Sequence, residues 1–188
     1  MNKDVLCDLY RLTGSYDRKK LHKCLKYNVG FRFLYYWRKE KEAKGLMKKI
    51  YRKKLWRLET QTGIEIPPSV RIGAGLMLLH PYNITINSKA VIGDNCVLLK
   101  GCTIGNVKGG KYIGTPVIGN NVYIGLNASV VGGIEIGDDV LIAANSFVNR
   151  NVPSHSLVFG NPCIIKENRM GVAEPYISNA VSENEPLA

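Results

Sequence analysis

The sequence has no apolar run approaching the ~20 residues of a membrane-spanning helix, and nothing in it resembles a signal peptide. It has no Cys-x-x-Cys pair. Its five cysteines (Cys7, Cys24, Cys96, Cys102 and Cys163) are odd in number and scattered, which fits small core residues in a reducing, cytoplasmic compartment. Histidine is scarce as well: His22, His80 and His155 are the three in the chain, and the repeats described below hold one of them where a zinc site would need several converging, so no metal is expected. A Gly-x-Ser-x-Gly elbow, a Walker loop and a dinucleotide fingerprint are all missing, which removes the commonest hydrolase, phosphate-loop and nicotinamide readings.

Acidic residues are thin in the first third of the chain. Residues 1–60 hold 18 Lys/Arg against 6 Asp/Glu, a net of +12, while the other 128 residues hold 8 against 9. The overall charge of +11 is therefore a property of the N-terminal segment alone. With Tyr35, Tyr36, Trp37, Tyr51 and Trp56 interleaved, that segment reads first as a helical cap that covers the coil end or trimerises. The second reading is a peripheral contact of residues 18–57 with an anionic surface at the inner membrane face. Nucleic acid is not expected as a partner, because no helix-turn-helix or RNA-binding motif accompanies the charge.

What the sequence does have is a period of six. Thirteen aliphatic residues keep that spacing: Ile66, Ile72, Leu78, Ile86, Ile92, Leu98, Ile104, Ile118, Ile124, Val130, Ile136, Ile142 and Val148. Two extra residues interrupt the count after Leu78 and eight more after Ile104. A second apolar position stands two residues before most of them, as in Val70, Leu76, Cys96, Val122 and Val140. Six is neither the helical 3.6 nor the strand's 2, so the pattern predicts a solenoid of short parallel strands. Three six-residue units make one triangular coil, and coils stack about 4.8 Å apart. The fold class expected is mainly β, a parallel β-helix with a small basic α-helical N-terminal region.

Three regions follow. Residues 1–62 are expected to be helical, with breaks near Gly14, at Asn28–Gly30 and at Gly45, and with Phe33, Leu34, Trp37, Leu46, Met47, Ile50, Leu55 and Leu58 as the apolar stripe. Residues 63–166 form the coil, with the Gly- and Lys-rich stretch 106–116 leaving it as a loop. Residues 167–188, polar and weakly acidic, are expected to be a disordered tail.

His80 is the candidate for chemistry. It lies at an outward turn where the repeat gains two residues, and Glu65 lies three residues past the position one coil beneath it. Such a pair suits a general base whose imidazolium a carboxylate steadies. The plainer alternative is an exposed ion pair worth under ~1 kcal/mol. His22 reads as a solvated surface residue and His155 as structural.

Several segments carry a resemblance: Gly63–Pro68, Leu78-Leu79-His80-Pro81, Val91–Asn95, Gly101–Gly105, Pro116–Asn120, Asn151-Val152-Pro153 and Gly160-Asn161-Pro162. Together they resemble the hexapeptide-repeat acyltransferases, in the serine acetyltransferase-like branch. The resemblance implies a left-handed coil, a homotrimer, and acetyl transfer from acetyl-CoA in a ternary complex. It implies His80 as catalytic base and Glu65 as its acidic partner. Gly105, Asn106, Leu126 and Ala144 would line the coenzyme, with Arg150 and Lys166 meeting its phosphates. Leu79 stands where the branch has an aspartate, and Gly114-Thr115 where it has an Arg-His pair. That departure turns the expectation toward O-acetylation of a sugar hydroxyl in a surface polysaccharide or its lipid-linked precursor, with Leu79, Tyr82 and Thr115 on the acceptor. The alternatives are a serine O-acetyltransferase of cysteine biosynthesis and a non-catalytic β-helix scaffold.

Overall fold

Four helices precede the coil. Asn2 caps α1 (Lys3–Thr13) by accepting the Asp4 N–H at 2.6 Å, and Gly14 ends it in the left-handed conformation. After α2 (Lys19–Tyr27), Asn28 caps α3 (Val29–Glu42) through the Phe31 N–H at 2.8 Å. The last helix, α4 (Gly45–Thr62), stops at Gly63, where φ is 68°. The computed structural model describes residues 2–182, so the part of the expected disordered tail at 183–188 lies outside the described residues.

The coil then begins. Its first turn gives β1 (Arg71–Ile72), β2 (Met77–Leu79) and β3 (Thr85–Ile86), and its second gives β4 (Val91–Ile92), β5 (Val97–Leu99) and β6 (Thr103–Gly105). Beyond the loop come β7 (Val117–Ile118), β8 (Tyr123–Ile124) and β9 (Ser129–Val131), then β10 (Glu135–Ile136), β11 (Val140–Ile142) and β12 (Phe147–Val148). The end is closed by β13 (Ser156–Phe159) and an antiparallel β14 (Ile164–Lys166). Parallel pairing sorts the strands into three faces: β1-β4-β7-β10, then β2-β5-β8-β11 with β13 and β14, then β3-β6-β9-β12. The result is a left-handed parallel β-helix.

The period of six is the reason for the coil. Every one of the thirteen aliphatics except the half-buried Ile72 is buried, as are the small partners Ala90, Cys96, Cys102 and Ala128. Each stacks on its equivalent one turn away, so the core is a column that a one-residue slip would expose. Corners need left-handed backbone, and asparagine supplies most of it: Asn83, Asn95, Asn121, Asn127 and Asn145 all have φ between 54° and 60°.

The helices roof the open end. Trp37, 1% exposed, donates its indole N–H to the Ile66 carbonyl at 3.0 Å, and Phe33, Leu34, Leu55 and Leu58 share one core with the first coil. A Cβ at Gly30 would sit 2.5 Å from the Leu78 carbonyl, so glycine lets α3 touch β2. Arg38 clips α1 on from below, reaching both Asp8 oxygens at 2.6 and 3.0 Å and the Gly73 carbonyl at 2.7 Å. Two expectations fail here. Leu46, Met47 and Ile50 are exposed, because α4 buries Leu55, Leu58 and Thr62. At 3.6 residues per turn, Leu46 and Ile50 point away from Leu55.

The second failure is the tail. Residues 167–182 are placed against the outer side of the second face, where Ala173 and Ile177 bury against Val97, Leu99, Met77 and Leu79. Asp139 accepts the Gly171 and Ala173 N–H groups at 2.6 and 3.1 Å, and Asn95 pairs with both backbone groups of Val181 at 2.8 and 3.0 Å. Two apolar side chains and a set of side-chain-to-backbone bonds suffice to order a segment whose composition is polar.

Candidate active site

The two extra residues of the first coil are His80 and Pro81. Leu79 pairs with Leu99 on the strand above, and the next bond joins the Gly101 N–H to the Tyr82 carbonyl at 2.9 Å, so the residues between have no counterpart. His80 is thus thrown out of the corner between the second and third faces. Its φ of 50° is left-handed, a conformation that asparagine takes at most other corners. The imidazole is exposed, and it has no side-chain partner among the described residues.

Glu65 is exposed and uncommitted too, but no hydrogen bond joins it to His80. The same insertion explains why. Glu65 donates its N–H to Ile84 at 2.7 Å and bridges to Thr85, five residues beyond His80, so it opens the third face while His80 stands at the corner leading into it. The two side chains border one surface without touching. Beside Glu65 a recess of about 690 Å³ is lined by Arg52, Glu59, Thr60 and Pro67.

Above His80 the corner continues as a column. The N–H after Lys100 bonds to Tyr82, the N–H after Leu126 bonds to Lys100 at 3.1 Å, and the N–H after Ala144 bonds to Leu126 at 2.8 Å. Leu126 and Ala144 therefore stand at the corner where the second face turns into the third, in register with Tyr82, and Leu126 also packs against the tail cluster of Val97, Leu99 and Ile177. Gly105 and Asn106 line the opposite edge of the third face, where Asn106 accepts from the Asn87 amide at 3.2 Å. Between Val107 and Gly114, paired in antiparallel fashion, the loop arches beside the face. It encloses a second recess of about 580 Å³ with Tyr112, Val131, Phe147, Asn149 and Arg150. Arg150 is fixed on its rim by a bond to the Cys163 carbonyl.

Three expected site residues lie elsewhere. Leu79 packs with Met77, Val97, Leu99 and the tail's Ile177, so its apolar character serves the second face rather than an acceptor. Thr115 bonds its hydroxyl to the Lys89 carbonyl at 3.3 Å, at the corner between the third and first faces. Lys166 is on β14, 5.4 Å over the Phe159 ring on the second face, and not beside Arg150. His155 holds Asp139 at 2.8 Å and belongs to the tail anchor. Burial pushes the Cys96 and Cys102 thiols up to about 12, which leaves them inert at neutral pH. Two positions around the surface carry no sequence signal of their own, Lys100 and Tyr112. Both become visible only when the two-residue insertion and the loop are placed on the coil.

Comparison with known proteins gives one consistent neighbourhood. A family described as bacterial transferase hexapeptide (six repeats) matches residues 115–150. A serine acetyltransferase of Synechococcus elongatus is 42% identical over 103 residues, 54% of this chain and 41% of that protein. One from Staphylococcus aureus is 41% identical over 118 residues, 61% of this chain and 54% of that protein. The chain spans about half the length, or less, of such curated relatives. The crystal structure of Neisseria gonorrhoeae serine acetyltransferase in complex with serine aligns at 34% identity with a TM-score of 0.68, covering 87% of this chain and 68% of that one. These matches overturn the sugar-hydroxyl acceptor expected above: relatives at 41–43% identity are serine acetyltransferases. The polysaccharide reading leaned on Leu79 and Thr115, of which the first packs with the tail cluster and the second bonds to the Lys89 carbonyl.

Proposed function

Since the chain belongs to the hexapeptide-repeat acyltransferase family, we propose that it is an acetyl-CoA-dependent serine O-acetyltransferase with His80 as its general base. The observation that carries this reading is likeness, over most of the chain, to a structure solved with serine bound. The exposed, uncommitted imidazole on its two-residue bulge supports it. His80 takes the proton of the serine hydroxyl as that oxygen bonds to the thioester carbonyl carbon. The carbon–sulfur bond then breaks, and coenzyme A leaves as a thiolate that recovers the proton from His80. Glu65 is the acidic partner: with neither side chain engaged elsewhere, its carboxylate is free to swing across the corner and balance the imidazolium.

The third face is the proposed coenzyme surface. Gly105 and Ala144 leave space at its two edges, Asn106 and Leu126 flank them, and Arg150 meets the phosphates as a fixed cation. Three chains assembled around these faces would close the coenzyme between two subunits. For the basic N-terminal helices the proposal is peripheral contact with an anionic surface, favoured by Leu46 and Trp56, 73% and 56% exposed among lysines. Among the described residues no helix is long and apolar enough to cross a membrane.

Free-thiol release from acetyl-CoA, measured with serine and with a panel of sugars, tests the reading. Release that saturates with serine is expected. Background release at every serine concentration would overturn it.

A further inference from the structure

We propose that Lys100 is the specificity-determining residue that holds the acceptor's carboxylate beside His80, an inference that rests on the serine reading above. Serine differs from neutral sugars and from simple amino alcohols by carrying a carboxylate, ionised at neutral pH, a few bonds from the reacting oxygen. A site that selects it needs a cation near the base, and the fold supplies one. Leu79 pairs with Leu99, so the strand leading to His80 and the strand leading to Lys100 run in register, one coil apart. The bulge then pushes His80 outward, and Lys100 takes the place directly above Tyr82, its carbonyl held by the Asn127 N–H at 3.1 Å.

Lys100 is exposed, and no acidic side chain pairs with it among the described residues. Its neighbours in the column are Tyr82, Leu126 and Ala144, so no competing charge lies above or below. The cations of the loop and of Arg150 stand across the third face, at the corner leading to the first face. A backbone anchored by the ladder with a long, mobile ammonium at its tip suits an acceptor that must enter and leave.

The test compares serine with ethanolamine, the amino alcohol lacking the carboxylate, in wild type, Lys100→Gln and Lys100→Arg. For Lys100→Gln the KM for serine should rise about tenfold or more, the scale of a lost charge-assisted hydrogen bond. The KM for acetyl-CoA should hold within a factor of two, and Lys100→Arg should restore most of the serine affinity. The wild-type preference for serine over ethanolamine should fall by the same factor as the serine KM rises. Equal losses for both acceptors, or a raised KM for acetyl-CoA with serine unaffected, would overturn the assignment while leaving the serine reading intact. Wild-type protein that acetylates neither acceptor would remove both proposals together. An unchanged melting temperature for Lys100→Gln separates these outcomes from misfolding.

Discussion

His80 occupies a backbone position where the coil needs left-handed geometry, and this gives a clean way to separate its chemistry from its structure. Asparagine fills the equivalent need at Asn83, Asn95, Asn121, Asn127 and Asn145, so the fold itself shows which replacement the corner accepts. His80→Asn should therefore keep the melting temperature while lowering kcat at least ~100-fold, the usual scale for a general base. His80→Ala is a poorer probe, because alanine in that conformation costs about 1 kcal/mol and mixes strain with lost chemistry. If His80→Asn retains more than a tenth of the activity, the imidazole is not the base. The candidate was legible in the sequence because an outward histidine coincided with a broken period. Its relation to Glu65 was not. Counting back one coil of 18 ignored the two inserted residues, which move Glu65 opposite Thr85. Leu79 misled for a related reason: a residue next to His80 in sequence turns to the other side of its strand and joins the packing under the tail.

Among the elements, the tail is the one whose attachment can be switched. Asp139 gathers three donors: two backbone N–H groups of the tail, at Gly171 and Ala173, and His155. Burial works against its charge, but those hydrogen bonds outweigh it and hold the carboxyl below the ordinary aspartate range. A depressed acid favours the folded state above its unfolded pKa, near 3.8, and that contribution is lost as pH falls through the lower folded value. Asp139 also has left-handed backbone, with φ of 52°, so Asn rather than Ala is the probe, and Asp139→Asn should cost about 1–2 kcal/mol at pH 7 because a neutral amide keeps only the weaker hydrogen bonds. The gap in melting temperature between wild type and variant should stay level down to about pH 4 and narrow below it. A gap that persists unchanged at pH 2.5 would assign the loss to packing instead. Tryptic cleavage within 167–182 should accelerate in the same variant. The tail could not be read from composition, because what orders it are side chains 32 to 86 positions earlier, Asp139 and Asn95, which reach its backbone. The coil was readable for the opposite reason, since every inward position repeats.

For the whole molecule the decisive asymmetry is electrostatic. The net +12 of residues 1–60 lies at one end of a coil whose remaining residues nearly balance, and the helices that carry it also roof the first turn. A cap alone needs neither the charge nor exposed Leu46, Met47, Ile50 and Trp56 among Lys48, Lys49, Lys53 and Lys54. A second copy of the same helix would bring like charges together, whereas an anionic lipid surface satisfies both the charge and the apolar side chains. Sedimentation with vesicles rich in phosphatidylglycerol should pull the protein down at low salt. Neutral phosphatidylcholine vesicles should leave it in solution. Since each basic residue near such a surface contributes about 1 kcal/mol within a Debye length, raising the salt from roughly 0.05 to 0.5 M should release most of it. Replacing Lys48, Lys49 and Lys53 together with Gln should reduce binding, and Trp56→Ala should weaken the salt-resistant remainder. Binding indifferent to lipid charge, or a change of oligomeric state instead of sedimentation in the Trp56→Ala variant, would mean that this face meets another copy of the chain, and the charge would then need a different anionic partner.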